Sequence, residues 1–166
     1  MSDNPLKEYL NGDEGLELLK ALSHEERIVI RDKFKDFVAG LANTALPFVK
    51  KVIGLKGIDN VEVVFSKDWR ASGGFDASEN RIALNCARIS GSKEMLAVLS
   101  HECIHAHQYE RGDLRGDVGS VVWCGKKFDD AVDERDSPWE VEAYNNMFKV
   151  AQMAEVLMKT YLNKNK

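Results

Sequence analysis

Apolar residues recur at helical spacing in three long stretches of this chain and cluster or alternate in short stretches between them. Ser23 followed by Glu26 is a capping box that opens an amphipathic helix over roughly 24–42, with Ile28, Ile30, Phe34, Phe37, Val38 and Leu41 as its apolar positions. Pro47 is expected to start or kink a second segment running to about 54, and Gly54 and Gly57 mark a turn. Val61 to Phe65 is rich in β-branched residues and predicts a strand. Gly73-Gly74 reads as a break before Phe75, and a turn over 76–79 leads into a second strand from Asn80 to Asn85. Val121 to Trp123 predicts a short strand, and 129–136 (DDAVDERD) a solvated loop without calcium-loop spacing. A final helix from Ser137 to about Leu162 carries a buried stripe of Trp139, Ala143, Met147, Val150, Ala154 and Leu157. Helix, small sheet, then helices make an α+β domain.

The middle helix has a different pattern. Between Met95 and Tyr109 there is no Lys, Arg or Asp, and Glu102 is the one carboxylate. Met95, Leu96, Leu99, Cys103 and Ala106 form one apolar stripe, while Ala97, Val98 and Ile104 lie on the other side. Ser92 is placed to cap its start and Gly112 to stop it. A helix apolar nearly all round is buried. Yet it contains His101-Glu102-Cys103-Ile104-His105, the H-E-x-x-H pattern. Residues four apart share a helix face, so His101 and His105 can grip one ion, while Glu102 lies about 100° around from His101 and can reach a water on it. A surface helix with solvated histidines would account for the residue types, but not for the uncharged flanks. A buried carboxylate between two buried imidazoles is costly without a partner, and a metal with its water supplies one. Cys103 falls on the core stripe, and His107 points away from the histidine pair as a packing or supporting residue.

Composition changes this picture little. The chain has 166 residues, 44% hydrophobic and 30% charged, as expected of a single globular domain. Residues 1–56 are expected to form an N-terminal helical part and 57–166 the metal-binding core. The net charge of −4 argues against a nucleic-acid binder that neutralises phosphates. No apolar run is long enough for a membrane span, and the first residues show no secretory pattern. Cys86, Cys103 and Cys124 form no C-x-x-C pair and read as reduced thiols, so a cytoplasmic protein is expected.

A catalytic zinc takes three protein ligands and leaves one position open. The metzincin continuation would need Gly at 108 and His at 111, where this chain has Gln108 and Arg111. No histidine follows His107, so carboxylates remain, and Ser137-Pro138-Trp139-Glu140-Val141-Glu142-Ala143 is the prominent stretch. Here the chain resembles the gluzincin metallopeptidases, in which a second helix supplies a Glu. It is also similar to small zincin-like proteins of bacteriophage and prophage origin, through Pro-Trp-Glu-x-Glu-Ala and a preceding Trp123-Cys124-Gly125. The likeness covers roughly 61–150 and departs at Tyr144, where the fuller pattern has Asp. It implies a zincin-like fold, mainly helical with a small mixed or antiparallel sheet packed on the H-E-x-x-H helix. It also implies zinc held by His101, His105 and Glu140. Glu140 equally suits a capping box with Ser137. On the helix it lies about 60° from the centre of the buried stripe and Glu142 about 100° away on the other side, which favours Glu140 and leaves Glu142 as the alternative ligand.

The expected activity is hydrolysis of a peptide or protein substrate, with Glu102 as general base. The alternative is a catalytically inactive metal-binding or protein-interaction module, and a third reading treats the motif as incidental to a helical interaction protein. Glu102 favours the enzyme, because a structural zinc prefers four protein ligands. Tyr109, His107 and Tyr144 are candidate oxyanion donors or packing residues; the resemblance implies that the strand Arg81 to Asn85 is an edge for an extended substrate, with an ordinary sheet strand as the equal alternative. Substrate identity and oligomeric state have no signature in the sequence.

Overall fold

A computed structural model describes residues 21–129 and 134–164. The N-terminal segment before residue 21, and residues 130–133 of the expected acidic loop, lie outside the described residues. Among those described, a small mixed sheet packs on the first two of three long helices, the third helix packs on those two, and a second small sheet follows the middle helix. The architecture is α+β.

Helix α1 spans His24–Ile53 and opens on the expected capping box, with Ser23 and Glu26 bonded to each other's backbone. It does not end or restart at Pro47, which lies inside it. An interior proline costs about 3 kcal/mol. Leu46 and Val49, on either side of Pro47, are 2% and 0% exposed, and each buried side chain contributes roughly 1.5–3 kcal/mol. Burial outweighs the lost hydrogen bond, and the helix continues to Gly54, which ends it at φ 79.

Three strands form the mixed sheet: β1 (Val61–Val64), β2 (Gly73–Asp76) and β3 (Arg81–Asn85). Their order is β1-β3-β2, with β1 parallel and β2 antiparallel to β3. Asn43 of α1 ties β1 to the helix, accepting from Val61 N at 2.8 Å and donating to Val61 O at 3.1 Å. Two expectations are corrected here. Gly73-Gly74 does not break the chain but begins β2, pairing with Leu84 and Ala83. Arg81 to Asn85 is not an edge, because β3 is hydrogen-bonded on both sides. Its alternate side chains Ile82 and Leu84 are fully buried, as befits a central strand.

Helix α2 (Ser92–Arg111) carries the H-E-x-x-H motif. Its N-cap is Gly91, not Ser92, and it stops at Gly112 with φ 78. The anticipated stripe is in the core: Met95, Leu96, Leu99, Cys103 and Ala106 are all buried. After it comes an antiparallel meander of β4 (Leu114–Asp117), β5 (Ser120–Trp123) and β6 (Lys126–Asp129). The sequence reading found only the middle strand, since β4 and β6 are short and polar. Cys124 and Gly125 join β5 to β6 with φ 47 and 79, the positive pair of a tight hairpin turn. A helical turn, Glu134–Asp136, then leads into α3 (Pro138–Lys164). Helix α3 packs on both α1 and α2.

Candidate metal centre

His101 and His105 project from adjacent turns of α2 and are nearly buried, at 9% and 8% exposure. Glu140, in the first turn of α3, faces them. Its Oε2 lies 3.2 Å from His101 Nε2 and its Oε1 lies 3.1 Å from His105 Nε2, while the two Nε2 atoms are 3.0 Å apart. The donor atoms of a tetrahedral ion with bonds of about 2.1 Å lie roughly 3.4 Å from one another. The triangle has the right size to hold an ion.

Its chemistry also calls for a cation. Gln108, fully buried one turn beyond His105, donates through Nε2 to Trp139 O at 3.0 Å and to Glu142 Oε2 at 2.9 Å. Its Oε1 is therefore an acceptor, and it sits 2.9 Å from His105 Nδ1. That assigns the proton of the neutral ring to Nδ1 and leaves Nε2 bare, facing a carboxylate oxygen and a second imidazole nitrogen. Lone pairs facing each other at such distances repel unless a positive charge lies between them. In the absence of metal that charge is a proton. Burial pushes His105 down, but the hydrogen bond and charge of Glu140 outweigh it and raise its pKa. Burial likewise pushes Glu140 up, and bonds from the two histidines bring it down to about 2. His101, His105 and Glu140 could thus hold a metal ion.

Glu142, the alternative ligand, is engaged elsewhere. It accepts from Gln108 and from Arg111, at 3.2 Å to its Oε1. Gln108 and Glu142 therefore brace the candidate ligand His105 and, through Trp139 O, the turn that carries Glu140. Sequence reasoning missed Gln108, using it only to exclude one pattern. A Gln three residues past a candidate ligand His, on an otherwise apolar helix, was the available signal.

Glu102 is 7% exposed and lines a cavity of about 700 Å³ together with the three candidate ligands. The opposite wall is β2, and Gly73 explains how closely it approaches. A Cβ there would lie 2.7 Å from Val98 Cγ1 and 3.1 Å from both Cγ and Oε1 of Glu102. No larger residue lets this strand sit against the carboxylate. Of the candidate oxyanion donors, Tyr109 and Tyr144 line the cavity and His107 is not among its lining residues. Tyr144 packs its ring 4.6 Å from that of His101, where the resembling pattern has Asp, and His101 Nδ1 is buried with no hydrogen-bond partner. Cys103 is fully buried and its thiol pKa is pushed well up, first by burial and then by the charge of Glu102, so it belongs to the core.

No helix among the described residues is long and apolar enough to cross a membrane. No protein-family model, curated protein or solved structure matches the chain.

Proposed function

We propose that this protein is a zinc-dependent peptidase with a zincin-like core, hydrolysing peptide bonds with Glu102 as general base. The observation that carries the reading is the convergence of His101, His105 and Glu140 in a cavity that Glu102 also lines. Two imidazoles and one carboxylate form the donor set of a catalytic rather than a structural zinc site. Zinc, when bound there, supplies Lewis acidity towards water and a substrate carbonyl.

The remaining work falls to the chain's own residues. Glu102 is not one of the three ligands, and its carboxylate would take a proton from the attacking water and pass it to the leaving amine. Nearly complete burial strengthens that exchange, because few waters compete for the carboxylate. Tyr109 and Tyr144 are the phenols that can donate to a developing oxyanion. Phe75 holds Tyr109 edge-on at a centroid distance of 5.4 Å. Strand β2 is the sheet edge that borders the cavity, and its main chain at Gly73 to Phe75 can pair with an extended peptide.

Metal content and turnover test the proposal together. Purified protein should contain close to one zinc per chain, and His105→Ala should lose it. A mixture of unstructured peptides should be cleaved by wild type and at least 100-fold more slowly by Glu102→Gln, in line with the usual contribution of a general base. Zinc-loaded wild type that cleaves no peptide faster than Glu102→Gln would replace the peptidase with a metal-binding module.

A further inference from the structure

Resting on the peptidase reading above, we propose that the cleft binds a substrate carboxylate on Arg70, with Arg135 adding to the same positive field. The preferred substrate would then be a peptide bearing an acidic side chain or a free C-terminal carboxylate near the scissile bond.

Among the described residues, the acidic and guanidinium groups lining the cavity are Glu102, Glu140, Arg70 and Arg135. Both carboxylates belong to the proposed metal centre, so among the described residues the remainder of the lining carries two guanidiniums and no acid. Arg70 enters from the segment leading into β2, and Arg135 from the helical turn before α3. The substrate would lie between these segments. Arg70 makes no hydrogen bond or ion pair with any described residue.

An exposed arginine is ordinarily a solvated surface group, but the backbone carrying this one is built. Asn85, fully buried at the end of β3, donates through Nδ2 to Ser66 O at 2.8 Å, Trp69 O at 2.9 Å and Ala71 O at 3.3 Å. Its Oδ1 accepts from Ser66 N at 3.0 Å. The carbonyls on both sides of Arg70 are thus held by one buried amide, which fixes the backbone from which its side chain starts. A planar fork starting from a fixed backbone suits a carboxylate, which it can meet with two parallel hydrogen bonds.

Binding to zinc-loaded Glu102→Gln protein tests this apart from turnover. The probes are labelled, end-blocked Ala-rich hexapeptides with one Glu, or one Gln, at each position in turn. A neutral hexapeptide with a free or an amidated C-terminus separates the two sources of carboxylate. Anisotropy at low salt should show about five- to tenfold tighter binding of one carboxylate probe than of its amide partner, shrinking as salt rises. Adding Arg70→Gln should bring that ratio below about twofold with an unchanged melting temperature, and Arg135→Gln should reduce it less. Equal binding of acid and amide probes overturns the proposal. So does a preference that survives Arg70→Gln, since the carboxylate would then be sitting on the metal. Wild-type turnover with equal kcat/KM on Glu and Gln peptides would sink the carboxylate site and leave the peptidase. Arg70-dependent discrimination without turnover would do the reverse.

Discussion

Gln108→Leu is the sharpest test of how the metal centre is braced. The side chain is fully buried and makes three contacts: His105 Nδ1 at 2.9 Å, Trp139 O at 3.0 Å and Glu142 Oε2 at 2.9 Å. Leucine fills similar volume but offers none of them. His105 loses the acceptor that keeps its proton on Nδ1, and the first turn of α3 loses its link to α2. Removing such a support weakens metal binding by about 10–100-fold, equivalent to about 1.4–2.8 kcal/mol. The stranded donor and acceptors would cost a further 1–3 kcal/mol or so in fold stability. Zinc competition against a chromophoric chelator at neutral pH reads the first effect, and chemical melting of the metal-free protein reads the second. Nitrogen NMR of His105 should show protonated Nδ1 in the wild-type zinc form and a weakened assignment in the variant. A folded Gln108→Leu protein binding zinc within twofold of wild type would refute the reasoning.

Other expectations follow from the same geometry. Glu140→Gln should weaken zinc at least 100-fold, whereas Glu142→Gln should change it by less than about tenfold, because only the first touches the site; a chelator titration reversing that order would exchange the ligands. Gly73→Ala should cost about 1–3 kcal/mol, from a Cβ built 2.7 Å from Val98 Cγ1, and should slow turnover by shifting Glu102. A denaturant midpoint and kcat equal to wild type would show that β2 is not seated as described. The metal-free protein should be most stable between roughly pH 4.5 and 6.5 as far as this pair is concerned. His105, with a raised pKa, stabilises below its unfolded value near 6.5, and that contribution disappears as pH rises through the folded value. Glu140, lowered to about 2, stabilises above its ordinary 4.5 and loses that as pH falls towards 2. Melting of chelated protein should therefore fall above neutrality, while zinc-loaded protein should gain there, because the ligands must be deprotonated. Parallel profiles with and without zinc would contradict this.

What the chain determines by itself is whatever depends on neighbours in sequence. The pairing of His101 with His105 follows from four-residue spacing, and the burial of α2 follows from its uncharged flanks. The capping box at Ser23 and the stop at Gly112 are equally local, and both are present. Tertiary structure decided the rest. Whether Pro47 ended a helix depended on how much apolar surface beyond it could be buried, which local propensity does not measure. Gly73 and Gly74 carry no side-chain pattern, so only their pairing with β3 makes them a strand, and that pairing moves β3 from the edge to the middle. The choice of Glu140 over Glu142 was favoured by its position on the helix, but it required the packing of α3 on α2. That packing turns Glu140 to the histidines and Glu142 to Gln108 and Arg111. Periodicity tells which face of a helix is buried. What that face meets is set by the way distant segments share one core.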